Sequence, residues 1–213
     1  GRCSYCVVRL VRGRPRSLPL AYAVAAAAAA VARGCGEVVL SGIDLSAWRD
    51  PAAAGGAPGG GADLADLVRA LAQLPGLLRL RLSSLEPHAV DDRLLDALAH
   101  PAVARHVHLP LQSADDGVLA AMRRRYTARA YMATAERVRE RLDGAMLSTD
   151  VLVGFPAEDD AAFARTLAVL DGDLFGRVHV FAFSPRPGTE AARLAPLPAA
   201  VVKARVAAAG ELA

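Results

Sequence analysis

The 213-residue sequence predicts an α/β fold, a parallel sheet curled into a partial six-stranded (β/α)6 barrel. Three observations predict it. Short apolar runs alternate with longer helical patterns five times along the chain. Polar or glycine-bearing clusters follow the strand-like runs, as they do where loops at the carboxyl ends of parallel strands build a site. The pair Cys3-x-x-Cys6 precedes the first long helix, so it belongs to a loop after a strand lying upstream of Gly1. On this reading the first barrel strand is missing and the chain is a fragment that opens inside a motif. A doubly wound open sheet is the alternative topology.

The elements follow in order. Leu20–Arg33 is an alanine-rich helix closed by Gly34, a residue suited to the left-handed turn after a helix. Glu37–Ser41 reads as a buried parallel strand, ending in Gly42-Ile43-Asp44. Asp50–Gly61, rich in Gly, Ala and Pro, reads as a flexible surface loop. Asp63 caps a helix running to about Leu74. Leu77–Leu82 alternates with arginine and forms the next strand, ending in Ser83-Ser84-Leu85-Glu86-Pro87. Asp91–Ala99 is a helix, His106–Leu111 a strand ending in Gln112-Ser113, and Asp115–Arg123 and Ala128–Leu142 are helices. Leu147–Val153 is a strand ending in Gly154-Phe155-Pro156, followed by a helix over Glu158–Leu170. Arg177–Phe183 is the last strand, and Pro198–Leu212 the last helix. Regular alternation of this kind implies right-handed crossovers between parallel strands.

Composition narrows the function classes. The chain is long enough to bury a core without disulfides. It is 54% hydrophobic, much of that alanine, and Lys203 is its only lysine against many arginines, a bias of a GC-rich genome more than of a function. A net charge of +3 permits an RNA partner without requiring one. Three cysteines in a sequence with no visible leader argue for a reducing compartment and for metal or redox use, against a secreted disulfide scaffold. The most apolar run, Ala21–Ala32, is too short to span a bilayer. A cytoplasmic protein without a membrane partner is expected.

Spacing alone leaves Cys3 and Cys6 open to three readings: half a zinc site, a redox pair, or part of an iron–sulfur loop. A zinc ribbon lacks its second C-x-x-C. Cys35, just before a strand, reads as a small buried hydrophobe. Gly42 and Asp44 mark either a ligand-binding strand end or a plain turn, and Glu86 either a site carboxylate or a surface charge. Gln112 and Ser113 carry groups that both donate and accept hydrogen bonds. Asp150 reads alternatively as a cap. His106, His108 and His179 read as packed, hydrogen-bonded histidines. Arg123, Arg124 and Arg125 with Tyr126 form a basic cluster, either an RNA contact or a solvated helix face.

Six collinear motifs resemble the radical S-adenosylmethionine (radical SAM) methylthiotransferases. Cys3 and Cys6 match the second and third cysteines of that family's C-x-x-x-C-x-x-C, the first falling two residues before Gly1. Arg12, Gly13, Arg16 and Ser17 match its R-G-x-x-R-S, and His108, Pro110, Gln112 and Ser113 its H-x-P-x-Q-S. Met122, Arg124 and Tyr126 match M-x-R-x-Y; Asp150, Gly154, Phe155, Pro156 and Glu158 match D-x-x-x-G-F-P-x-E. Ser184, Arg186, Gly188, Thr189 and Ala191 match S-x-R-x-G-T-x-A. The chain departs from the family at Arg9, where proline is usual, at Ala114 and Ala157, which replace glycines, and at Phe183, which replaces a tyrosine.

The resemblance implies a radical SAM core domain over residues 1–213, with the family's amino-terminal cluster domain and carboxy-terminal RNA-binding domain outside this sequence. It implies a 4Fe–4S cluster on Cys3, Cys6 and the upstream cysteine, with SAM chelating the open iron. It places Gly42, Asp44, Glu86, Gln112, Ser113, Asp150 and Gly154 toward SAM, and Arg12, Arg16, Arg124 and Arg186 toward RNA. No side-chain acid or base receives a catalytic role. The implied reaction is methylthio transfer to C2 of a modified adenosine at position 37 of tRNA, with a flavodoxin-type electron donor. Ser83–Pro87 and His179-Val180-Phe181 resemble the branch acting on N6-threonylcarbamoyladenosine; the isopentenyladenosine branch is the alternative. A degenerate, non-catalytic RNA-binding module is a further one.

Overall fold

The computed structural model describes residues 3–51 and 61–213. Its helices are α1 (Val8–Arg12), α2 (Leu20–Ala32), α3 (Leu64–Ala72), α4 (Asp92–Leu98), α5 (Asp116–Ala121), α6 (Ala128–Arg141), α7 (Asp160–Leu170) and α8 (Ala199–Gly210). Its strands are β1 (Glu37–Leu40), β2 (Arg79–Leu82), β3 (His106–His108), β4 (Met146–Val153) and β5 (Arg177–Ala182). The strand pairs β1–β2 and β4–β5 are both parallel, which makes the fold α/β as the alternation predicts. The chain forms two compact units. One holds Arg16–His108 and Arg137–Ala145; the other holds Gly1–Pro15, Leu109–Glu136 and Met146–Ala213.

In the first unit β1 and β2 run in register from Glu37 beside Arg79 to Leu40 beside Leu82. On β2, Leu80 and Leu82 are buried while Arg79 is exposed, the period-two pattern of a sheet with one covered face. Leu80 also exchanges backbone hydrogen bonds with the chain leading to β3: its N–H donates to the Ala102 carbonyl at 2.7 Å, and its carbonyl accepts from Ala104 at 2.8 Å. The expectation of a buried β1 needs correction. Val38 and Leu40 are half-buried, whereas Glu37 and Val39 face outward and Val39 is 54% exposed. Valine favours the extended backbone whether or not both faces are covered, so the apolar run did not reveal the open face.

Helix α3 buries Leu64, Leu67, Val68 and Leu71 along one stripe. Its start is a reciprocal capping box. Asp63 accepts from the Asp66 N–H at 3.2 Å, and Asp66 accepts from the Asp63 N–H at 3.1 Å. Arg93 of α4 joins both carboxylates at 2.8 and 2.9 Å. Burial pushes the Asp66 carboxyl up, but the Asp63 N–H and Arg93 outweigh it and hold the group below its ordinary value. Asp91 caps α4 through the Leu94 N–H at 2.8 Å. Gly34 ends the α2 turn at φ +95°, as its position predicts. Cys35 departs from expectation: it is exposed, because the turn that closes α2 carries it outward before β1 begins. Most of the expected loop Asp50–Gly61, residues 52–60, lies outside the described residues. Its described ends are joined, the Asp50 N–H donating to Ala62 at 3.0 Å.

In the second unit, Leu109–Gln112 runs parallel to β4. Leu109 N–H donates to Ser148 at 2.9 Å, Gln112 N–H to Asp150 at 2.8 Å, and the Gln112 carbonyl accepts from Leu152 at 2.9 Å. β4 in turn pairs with β5 from Ser148 beside Arg177 to Val153 beside Ala182. The strand expected over His106–Leu111 is thus regular only at His106–His108, then continues as an irregular segment. The buried Tyr131 stitches that segment to β4: its hydroxyl donates to the Leu109 carbonyl at 2.8 Å, beside Thr149 Oγ1. Asp115 caps α5 through Val118 N–H at 2.9 Å and receives Arg165 at 2.6 Å. Burial raises its carboxyl, and those two donors overcome the rise and hold it low. The helix read as starting at Glu158 starts at Asp160, capped by Asp159.

Candidate functional site

The cysteine loop is seated by the motifs that follow it. Ser4, between the two cysteines in sequence, is buried and tied at three points. Its N–H donates to Met122 at 3.0 Å, its hydroxyl to the Ala121 carbonyl at 2.7 Å, and its carbonyl accepts from Ala191 at 3.0 Å. The Cys6 N–H donates back to the Cys3 carbonyl at 3.2 Å, closing a tight turn that puts both thiols on one short arc. A one-turn helix, α1, follows directly where an irregular loop was expected. Behind the turn lies a core of Val118, Met122, Phe155, Ala162 and Ala191, with Tyr5 and Phe183 packed against it. Tyr5 meets Phe155 edge-on with ring centroids 6.4 Å apart, and Phe155 meets Phe183 at 5.3 Å. The ring contact of Phe183 needs no hydroxyl.

Cys3 and Cys6 are both half-buried and neither forms a disulfide. They line a small open depression with Ser4, Arg9, Leu10, Gly188, Thr189 and Glu190. Gly188 at φ +81° and the Thr189 hydroxyl, which donates to the Arg186 carbonyl at 2.7 Å, shape the far wall. Burial, and then the adjoining Cys3 thiol, push the Tyr5 hydroxyl well above its ordinary pKa, so it stays a neutral donor beside the sulfur. Two accessible, adjacent thiols in a hollow with protonated neighbours fit a soft thiophilic centre such as an iron–sulfur cluster.

Arg124, expected toward RNA, is half-buried and reaches the cysteine turn: Nη1 donates to Cys3 Sγ at 3.3 Å and Nε to the Tyr126 hydroxyl at 2.9 Å. The cause is local. Arg123 takes a left-handed φ of +60° at the end of α5, and the Arg124 N–H donates back to Leu119 at 2.9 Å, reversing the chain. Arg123 itself pairs with Glu190 at 2.7 Å. Arg12 and Arg186 are exposed.

The other expected residues of this unit divide. Gln112 holds a left-handed φ of +65°, uncommon for a residue with a side chain and a mark of a constrained strand end. Ser113 is 1% exposed; its hydroxyl sits 3.4 Å from Thr166 Oγ1 and accepts the Asp115 N–H at 3.2 Å, so it serves the entry to α5. Asp150 lies within β4, as the strand expected over Leu147–Val153 has it, and is half-buried. Gly154 is required by the backbone and by packing. Its φ is +76°, and a Cβ there would stand 2.8 Å from a methyl of Val202 on α8. Its N–H donates to Glu158 at 3.2 Å.

The pairing of Glu158 with Arg205 is a feature the sequence did not disclose. Glu158 is 2% exposed and lies 2.7 Å from Arg205. Arg205 also donates to the Glu158 carbonyl and to Asp160, and lies over the Phe163 ring. Burial raises the Glu158 carboxyl; Gly154 N–H and Arg205 oppose the rise without cancelling it. Nothing about Arg205 in an alanine-rich helix signalled this partner.

In the other unit, Gly42 is exposed and a Cβ there would meet the Leu45 backbone only at ordinary contact distance, so the local fold does not demand glycine. Asp44 is half-buried and its carbonyl accepts from Ala47 at 3.1 Å in a short 3-10 turn. The Glu86 N–H donates to the buried Ser46 hydroxyl at 2.8 Å, which joins the two strand-end segments, and its side chain is half-buried. Arg16 is exposed.

Comparison with solved structures defines the class by fold. The SAM-bound SuiB of Streptococcus suis superposes with a TM-score of 0.65 at 13% identity, over 97% of this chain and 43% of that one. Coproporphyrinogen III oxidase (HemN) from Escherichia coli, a radical SAM enzyme, does so at 0.65 and 16%, over 97% of this chain and 48% of that one. The radical SAM superfamily model matches residues 1–170, and the chain belongs to that superfamily. Within it, similar curated proteins include tRNA methylthiotransferases. The tRNA-2-methylthio-N(6)-dimethylallyladenosine synthase of Roseiflexus sp. is 42% identical over 89% of this chain and 39% of its own length. The threonylcarbamoyladenosine tRNA methylthiotransferase MtaB of Thermotoga maritima is 38% identical over 90% and 43%. The chain spans about two fifths of the length of these relatives. No helix among the described residues is long and apolar enough to cross a membrane.

Proposed function

We propose that this chain is the radical SAM core of a tRNA methylthiotransferase that adds a methylthio group to C2 of N6-threonylcarbamoyladenosine at position 37. The observation that carries the reading is the seating of the C-x-x-C turn: the M-x-R-x-Y, G-F-P and G-T-x-A motifs converge to hold two free thiols at the edge of one hollow. Cys3 and Cys6 would hold two irons of a 4Fe–4S cluster. When bound, the cluster supplies the electron that breaks a carbon–sulfur bond of SAM. This chain's residues bind and orient. Ser4 fixes the turn, Tyr5 and Arg124 surround the Cys3 sulfur with donors, and the aromatic stack of Tyr5, Phe155 and Phe183 keeps water from behind it.

On the unit that carries β1 and β2, Gly42, Asp44 and Glu86 are assigned to polar groups of SAM; the absence of a folding reason for glycine at 42 supports a close-approaching ligand there. On the cysteine-bearing unit, Gln112 and Asp150 are assigned to SAM, while Ser113 and Gly154 act through the backbone they shape. Arg12, Arg16 and Arg186 are assigned to tRNA phosphates. A flavodoxin-type reductant would deliver the electron, and the work would be done on tRNA in the cytoplasm.

A second reading has a specific basis: relatives at similar identity carry the dimethylallyladenosine name. Mass spectrometry of tRNA nucleosides after reaction with the intact, cluster-loaded protein separates the two. The nucleoside that gains methylthio names the branch. Product on threonylcarbamoylated tRNA is expected. Product only on isopentenylated tRNA assigns the other branch, and tRNA binding without SAM cleavage assigns a non-catalytic module.

A further inference from the structure

Arg124 is held by a second residue so that one N–H faces sulfur. Its Nε donates to the Tyr126 hydroxyl at 2.9 Å and its Nη1 to Cys3 Sγ at 3.3 Å. Tyr126 is buried, and its hydroxyl donates into the Pro110 carbonyl at 2.7 Å, with the Leu111 carbonyl at 3.1 Å. The tyrosine oxygen is therefore anchored to a fixed backbone segment, and it fixes the guanidinium in turn. An arginine serving only as surface charge needs no such anchor.

We propose that Arg124 is a positioning residue that donates a charge-assisted hydrogen bond to the Cys3 sulfur when that cysteine carries iron, and thereby raises the reduction potential of the cluster. The inference rests on the cluster reading above. A cation and N–H donor on a thiolate withdraws electron density from the sulfur and favours the more negative, reduced state. Tyr126 acts one bond further out, by directing the fork.

The test is a redox titration followed by electron paramagnetic resonance, with iron and sulfide counted on the same samples of full-length, anaerobically reconstituted protein. Arg124→Met is expected to keep its iron and to lower the one-electron reduction equilibrium roughly tenfold, about 59 mV. Arg124→Lys recovers part of the shift, keeping charge without the fork. Tyr126→Phe shifts in the same direction by less. A loaded Arg124→Met protein with the wild-type midpoint overturns the proposal. If Arg124→Met fails to load, the lysine and phenylalanine variants decide, and wild-type midpoints in both overturn it. Failure of the underlying reading looks different: Cys3→Ala loses no iron or sulfide relative to wild type, and that result overturns both.

Discussion

Gly154 shows how one position carries two demands. Its φ of +76° costs an L-residue about 1–2 kcal/mol, and a Cβ would stand 2.8 and 2.9 Å from the two Val202 methyls. Overpacking of that kind adds about 1–3 kcal/mol. Gly154→Ala is therefore expected to destabilise by about 2–4 kcal/mol in urea unfolding. A double-mutant cycle with Val202→Ala should return the steric part and leave the backbone part. Full additivity of the two substitutions would sink the steric account. The D-x-x-x-G-F-P-x-E motif thus works largely as architecture: the glycine permits the turn, Phe155 fills the core behind Tyr5, and Glu158 accepts the Gly154 N–H.

At the scale of an element, α8 is docked by a buried charge. Arg205 and Glu158 are nearly inaccessible, and the arginine also reaches Asp160. Removing one partner of such a pair strands the other, at a cost of about 3–5 kcal/mol. Arg205→Met is expected to lose that much near neutral pH by chemical denaturation. Glu158 already sits above its ordinary pKa because of burial, and losing Arg205 raises it further. A raised folded-state carboxyl binds its proton more tightly than the unfolded one, so stability is retained below the ordinary carboxylate range and lost as pH rises through the folded value. The deficit of Arg205→Met relative to wild type should therefore shrink toward acid pH. A deficit independent of pH would show that packing over Phe163, not charge, holds the helix. Replacing both partners, as in Arg205→Met with Glu158→Leu, is expected to recover part of the loss.

At the scale of the whole molecule, the basic residues divide by exposure. Arg12, Arg16 and Arg186 are exposed, whereas Arg124 is turned to Cys3. If the first three contact tRNA phosphates, alanine at any one should weaken binding and reduce the slope of log affinity against log salt by roughly one. Arg124→Met should leave that slope alone. Filter binding of the intact protein across a salt series reads both, and unchanged slopes at Arg12, Arg16 and Arg186 would remove them from the interface.

The sequence by itself determined the order of the five strands and of helices α2 to α8, the parallel α/β class and the location of the cysteine turn, because each rests on local signals: hydrophobic period, aspartates at the helix starts at 63, 91 and 115, Gly34 after α2, and the spacing of two thiols. It also placed the motifs, through their resemblance to a family. Which contacts those motifs make was decided only by tertiary structure. That Ser4 bridges Met122 and Ala191, that Arg124 faces Cys3, that Ser113 is buried against Thr166, and that Arg205 meets Glu158 across 47 residues are all contacts between distant segments. A charged or polar letter reads alike on a solvated face and in a buried pair. Which one it becomes depends on the neighbours that folding brings to it, and on whether they return the hydrogen bonds that burial takes from water.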